Sequence, residues 1–140
     1  MSKFIMLVGL PRTGKSNYAK LCRLNDNNVV VISYDILEVK EYGYLRRLTE
    51  NKSNCIVNKA KQQIVESLNK GHTVIYDELN ITKKGREDII SYIKENVEDV
   101  EINCVYFKKR FASSYWMFNG FDNFEMPHIS EGFDNIIERR

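Results

Sequence analysis

The chain has 140 residues, of which 43% are hydrophobic and 29% charged, with a formal net charge of +2. That length suits one domain, residues 1–140, with its own hydrophobic core, and the near-balanced charge points to no general nucleic-acid coat. No apolar run approaches the ~20 residues that span a bilayer. The stretch from Phe4 to Leu10 is too short for a secretory h-region, so no membrane and a cytoplasmic setting are expected.

Phe4 to Val8 is an unbroken apolar run ending at Gly9, which predicts a strand buried on both faces. Ser16 to Arg23 reads as a helix with Ala19 and Cys22 on one face, and Asn25 to Asn28 as a turn. Val29 to Ser33 is a second buried strand, rich in β-branched residues. A short helix is expected around Ile36 to Glu41, before a less periodic connection. Ile56, Ala60, Ile64 and Leu68 recur at four-residue spacing and Gly71 supplies a stop, which predicts a long helix. Thr73 to Tyr76 is a third strand ending at Asp77. Thr82 can cap a helix carrying Ile89, Ile90, Ile93 and Val97, and Glu101 to Phe107 is a fourth strand. Phe133 to Glu138 fits either a strand or a short helix. Strands alternating with helices imply βαβ crossovers and an α/β fold of three layers, a mostly parallel central sheet flanked by helices.

Cys22, Cys55 and Cys104 stand far apart without a C-x-x-C pair, and the chain has two histidines. This argues against a disulfide framework and against a zinc site, and the thiols are expected to be buried or semi-buried.

Gly9-Leu-Pro-Arg-Thr-Gly-Lys-Ser16 satisfies G-x-x-x-x-G-K-[ST] between an apolar strand and an amphipathic helix. The glycines allow a tight turn whose backbone N–H groups wrap a phosphate, and the helix N-terminus adds unsatisfied donors. The nucleotide-binding set is thus Gly9, Leu10, Pro11, Arg12, Thr13, Gly14, Lys15, Ser16 and Asn17, with ATP and Mg²⁺ as the expected ligands. Lys15 would reach the β/γ-phosphates and the Ser16 hydroxyl would ligate Mg²⁺. Asp77, delivered at a strand's C-terminal end, could hold Mg²⁺ through water or orient Ser16; the plainer alternative is a loop cap. Glu78 is expected to point elsewhere. Asp35 follows the second strand as Asp77 follows the third. It could accept the proton of an attacking hydroxyl or cap the helix from Ile36, and the residues alone leave both open.

Together the phosphate loop, the strand ending before Asp35, and Asp77-Glu-Leu-Asn-Ile-Thr-Lys-Lys-Gly-Arg86 resemble the P-loop kinase family containing polynucleotide 5′-hydroxyl kinases. Its relatives include the kinase modules of RNA-repair enzymes and the zeta-toxin kinases. The third stretch is similar to that group's D-x-x-N-x-T-x-x-x-R pattern, with Asp77, Asn80, Thr82 and Arg86 in place. Phe124-Glu-Met-Pro-His-Ile-Ser-Glu-Gly-Phe133 is similar to the F-E-x-P-x-x-x-E-G-F signature of eukaryotic-type polynucleotide kinases. The resemblance implies a kinase-type P-loop NTPase fold and transfer of the ATP γ-phosphate to a hydroxyl, with the 5′-hydroxyl of nucleic acid favoured. It also implies that Asp35 is the general base. A kinase of a small metabolite and an ATP-binding module without turnover are the alternatives. Asn80 could instead bond a loop backbone, and Arg86 could be a solvated helix residue.

The chain departs from the family in two places. The arginine-bearing lid after the fourth strand is shortened and lacks R-N-x-x-R. Lys108, Lys109 or Arg110 could supply its charge, with Arg110 taken as the catalytic candidate, or the three form a solvated cluster. Glu38 stands where nucleic-acid kinases often place an arginine, and would repel a strand phosphate. Arg46 and Arg47 could substitute, although a solvated pair is the preferred reading. Phe111, Tyr115, Trp116, Phe118, Phe121 and Phe124 could stack on bases, but packing or homo-oligomer contact is favoured.

Overall fold

The computed structural model describes residues 1–10, 13–42, 50–108 and 124–139. Strand β1 (Ser2–Val8) turns Phe4, Met6 and Val8 toward one face of the sheet and Ile5 and Leu7 toward the other, the period-two alternation of a strand. Both faces are covered, which is why the segment reads as continuous apolar sequence. Helix α1 (Lys15–Asn25) follows, starting one residue earlier and ending two residues later than its periodicity suggested. Ala19 and Cys22 pack with Leu7, Ile75 and Val105 beneath it.

Strand β2 (Val29–Ser33) runs directly into helix α2 (Tyr34–Tyr42). Helix α3 (Glu50–Asn69) begins before its apolar stripe, and Ile56, Ala60, Ile64 and Leu68 are all at most 1% exposed. Burying each large side chain of this stripe contributes roughly 1.5–3 kcal/mol, which is what fixes the helix against the sheet. Gly71, at φ 86°, ends the turn in a backbone conformation few other residues adopt readily. Strand β3 (Thr73–Asp77) leads to helix α4 (Lys83–Asn96), whose N-cap Thr82 accepts a hydrogen bond from the Gly85 N–H at 3.3 Å. Strand β4 (Val100–Phe107) and strand β5 (Asn135–Arg139) complete the sheet, so the segment left open between strand and helix is a strand.

The strand order is β2-β3-β1-β4-β5 and every pairing is parallel. Helices α3 and α4 pack on the Phe4–Met6 face and α1 on the Leu7 face, giving the three layers expected. Register matters most for function. Leu7 pairs with Asp77 and Asp77 with Ser33, so the C-terminal ends of β1, β3 and β2 lie level. Gly9, Asp77 and Asp35 therefore emerge side by side at one edge of the sheet, where open parallel sheets bind ligands. Among the described residues no helix is long and apolar enough to cross a membrane.

Candidate functional site

After β1 the backbone continues its pairing by one step: the Gly9 N–H donates to the Leu79 carbonyl at 3.1 Å. A Cβ on Gly9 would lie 3.1 Å from the Phe107 Cβ, the Phe107 carbonyl oxygen and the Thr13 Oγ1, so only glycine passes here without displacement. Thr13 is 1% exposed and its hydroxyl donates to the Leu10 carbonyl at 2.7 Å, closing the loop on itself. Gly14, at φ 96°, turns the chain into α1, whose Tyr18 N–H donates back to the Gly14 carbonyl at 3.0 Å. The loop holds the Lys15 ammonium inward, where it donates to the Leu10 carbonyl at 3.2 Å. The Ser16 hydroxyl donates to Asp77 Oδ2 at 2.8 Å across the sheet edge.

A cavity of about 580 Å³ opens over this edge, lined by residues 13–17 on one side and by Tyr34, Asp35, Asp77, Glu78 and Leu79 on the other. The sequence-derived candidates Lys15, Ser16, Asn17, Asp35 and Asp77 thus share one space. Burial lowers the Lys15 pKa, opposed by the carboxylates of Asp77, Glu78 and Asp35. Burial raises the Asp35 pKa, with Glu38 and Asp77 adding repulsion and Lys15 opposing. Glu78 is raised too, mainly by burial, while hydrogen bonds from the Leu79 and Asn80 backbone hold it down.

Among the described residues no group of three or more His, Cys, Asp or Glu is arranged to hold a metal ion alone. The donor set instead fits Mg²⁺, which keeps most of its waters and takes one or two protein oxygens with the phosphates of a nucleotide. The paired Ser16 hydroxyl and Asp77 carboxylate are of that kind.

Several sequence expectations change. Asp35 does not cap α2, because the helix begins at Tyr34 and it is Ser33 Oγ that accepts from the Ile36 N–H at 3.4 Å. Glu78 does not point away: β3 ends at Asp77, so strand alternation no longer governs the next residue, and Glu78 lines the cavity. Glu38 is 5% exposed rather than displayed to a strand phosphate. Cys104 is buried and Cys22 partly so, but Cys55 is exposed. Lys108 pairs with Glu138 at 3.2 Å on the neighbouring strand. Phe124 stacks on Tyr106, ring centroids 5.8 Å apart, which supports packing for that aromatic. Pro11, Arg12, Arg46, Arg47, Lys109, Arg110 and the aromatics from Phe111 to Phe121 lie outside the described residues.

Arg86 is not solvated. Its side chain is fully buried and forms a two-pronged ion pair with Glu131, Nε to Oε1 at 2.7 Å and Nη2 to Oε2 at 3.0 Å. Its remaining donors reach the Asn80 carbonyl at 2.8 Å and the Met126 carbonyl at 3.1 Å. The Asn80 side chain bonds loop backbone, as its plainer reading held, donating to the Leu7 carbonyl at 2.7 Å and the Glu78 carbonyl at 3.3 Å. The two family-like stretches are therefore halves of one structure. Glu131 of the second neutralises Arg86 of the first, Gly132 turns at φ 117°, and Phe133 is buried. Nothing in residue spacing alone announced this pairing; the joint presence of both stretches was the available signal.

The family model described as chromatin associated protein KTI12 matches residues 3–139. No curated protein matches the chain. Among solved structures, the chain resembles part of a Pnkp1/Rnl/Hen1 complex at 19% identity, with a TM-score of 0.70, covering 95% of this chain and 43% of that one. A fungal RNA kinase is similar at 13% identity and a TM-score of 0.71, over 100% of this chain and 75% of that one. Kti12 of Chaetomium thermophilum, solved in complex with ADP-AlF3, is similar at 15% identity and a TM-score of 0.62, over 97% of this chain and 88% of the other. At these identities the likeness is one of fold. The chain spans less than half the length of the first of these relatives.

Proposed function

We propose, from the premise that this chain belongs to the KTI12 family and has a P-loop kinase fold, that it is an ATP- and Mg²⁺-dependent phosphotransferase. The observation that carries this is the shared cavity: Asp35 and Asp77, from neighbouring strand ends, face the space held by Lys15 and Ser16. The backbone N–H groups of the phosphate loop and the Lys15 ammonium would hold the phosphates, with Ser16 and Asp77 on the side of the metal. Bound Mg²⁺ would supply charge neutralisation of the phosphates. Asp35 would take the proton of the acceptor hydroxyl as its oxygen bonds to the γ-phosphorus and the bond to the bridging oxygen of ADP breaks. Its raised pKa suits a base that must hold that proton. Arg110, outside the described residues, is the proposed source of lid charge, and residues 1–140 are taken as one kinase-like domain.

The favoured acceptor is a 5′-hydroxyl nucleic-acid end, supported by the similar RNA kinase and the Pnkp1-containing complex. A small hydroxylated metabolite is the second reading. It is favoured by the acidic surroundings of Asp35, where Asp77 and Glu78 line the same cavity and add negative charge that a phosphate-bearing strand would meet. Three free thiols fit a reducing, cytoplasmic setting.

The test is incubation with γ-labelled ATP and Mg²⁺ against separate pools of 5′-hydroxyl oligonucleotides and small metabolites. Label on oligonucleotides that vanishes in Asp35→Asn supports the favoured acceptor, and label confined to metabolites selects the second reading. ATP binding with no labelled acceptor from either pool reduces the protein to a binding module.

A further inference from the structure

We infer that Asn80 is a positioning residue that clamps the phosphate loop to the metal-side carboxylate, and that the buried Arg86–Glu131 pair holds the clamp shut. The inference rests on the ATP·Mg²⁺ reading of the cavity and goes beyond it, because Asn80 lines no part of that cavity.

Its basis is a continuous series of contacts. Strand β3 ends at Asp77, paired with Leu7, so the β1–β3 ladder stops just before the phosphate loop begins. Beyond that point side chain and backbone carry the join on: the Asn80 amide donates to the Leu7 carbonyl at 2.7 Å, and the Gly9 N–H donates to the Leu79 carbonyl at 3.1 Å. These two bonds stitch residues 7–9 to residues 79–80 beside the cavity. Asn80 reaches across from a backbone at φ 52°, a left-handed conformation that asparagine tolerates better than most residues. That conformation is held from behind: Arg86 Nη1 donates to the Asn80 carbonyl at 2.8 Å, and Arg86 is itself fixed by both oxygens of Glu131.

The consequence appears at the opposite end of the stitched segment. The Ser16 hydroxyl and Asp77 carboxylate, 2.8 Å apart, come from the loop and from β3, so their separation depends on how firmly residues 7–9 and 77–80 are joined. A loosened clamp leaves Lys15 and the loop amides able to meet a nucleotide, since they belong to one side alone. It weakens the part of binding that needs both sides, the metal-dependent part.

Asn80→Gly separates this role from simple folding. Glycine accepts the left-handed backbone and keeps the carbonyl that Arg86 grips, but removes the amide. The measurements are titration with a fluorescent ATP analogue with and without Mg²⁺, and the exchange rate of the Gly9 amide followed by NMR. The expected result is at least a tenfold loss in the Mg²⁺-dependent gain in affinity, with Mg²⁺-free affinity changed less than threefold, and faster Gly9 exchange. An unchanged Mg²⁺-dependent gain, with Gly9 exchange unchanged, overturns the inference, as does an equal loss of both affinities. If Asn80→Gly does not fold, Asn80→Asp, which keeps the shape and loses the amide donor, is read in the same way. A wild-type chain showing no Mg²⁺-dependent gain would contradict the ATP·Mg²⁺ reading instead. The Gly9 exchange comparison would then decide the clamp by itself.

Discussion

Burial disfavours the charged form of Lys15, and its ammonium donates to the Leu10 carbonyl. Lys15→Ala should lower ATP-dependent transfer by at least about 100-fold, on the scale of losing one well-placed electrostatic contact, while circular dichroism shows the fold intact. Asp35 has the opposite problem. Burial, Glu38 and Asp77 raise its pKa, so the base form is lost as pH falls through a value above the ordinary ~3.9 for aspartate. The acid limb of the kcat/KM profile should therefore lie above that value, and a profile flat down to pH ~4 would remove Asp35 as the base. Linkage gives the matching stability sign. A carboxyl with a raised folded pKa favours the fold below its unfolded pKa and loses that contribution as pH rises through the folded value. Asp35→Asn should consequently melt higher than wild type at neutral pH, with the difference shrinking toward pH ~4. Thiol labelling offers a separate check: burial pushes the Cys104 thiol up to about 12, whereas Cys55 is exposed. A maleimide should modify Cys55 in the native protein and leave Cys104 until denaturant is added.

At the scale of elements, the stability of the site depends on a charge pair that no single helix or strand contains. Arg86 on α4 and Glu131 beyond it are 0% and 1% exposed at their side chains, so neither charge has water to fall back on. Glu131→Gln should destabilise the protein by about 3–5 kcal/mol in urea unfolding, the cost of leaving a buried guanidinium unpaired. Gly132→Ala should also be destabilising, because φ is 117° and the added Cβ would lie 2.9 Å from Ile90 Cγ2. The helices and strands were largely legible in the residues, since four-residue spacing in α3 and β-branched runs in β2 and β3 are local signals. Where sequence reading failed, the deciding interaction was not local. A solvated reading of Arg86 is sensible on a helix that also bears Lys83, Lys84 and Glu87. Only the chain's return 45 residues later supplies the carboxylate that lets it be buried. Asp35 was open between a cap and a base because an aspartate after a strand suits either role; the structure gives the cap bond to Ser33, two residues earlier.

For the whole molecule, strand order is what turns scattered motifs into one site. Gly9, Asp35 and Asp77 are far apart in sequence, and their convergence follows from β1, β3 and β2 lying adjacent, parallel and level. The phosphate loop and the parallel sheet were readable because their residue pattern is contiguous, whereas the strand order and the inward turn of Glu78 depend on packing that no single segment encodes. Binding of ATP at this edge and transfer of its γ-phosphate with Asp35 as the base together form the proposed activity. It is tested most directly by a single-turnover experiment with saturating γ-labelled ATP, Mg²⁺ and the acceptor pools, on wild type and Asp35→Asn in parallel. Equal ATP occupancy is expected in the two proteins, with label transferred by wild type at least about 100-fold faster. Equal transfer rates at equal occupancy would contradict it.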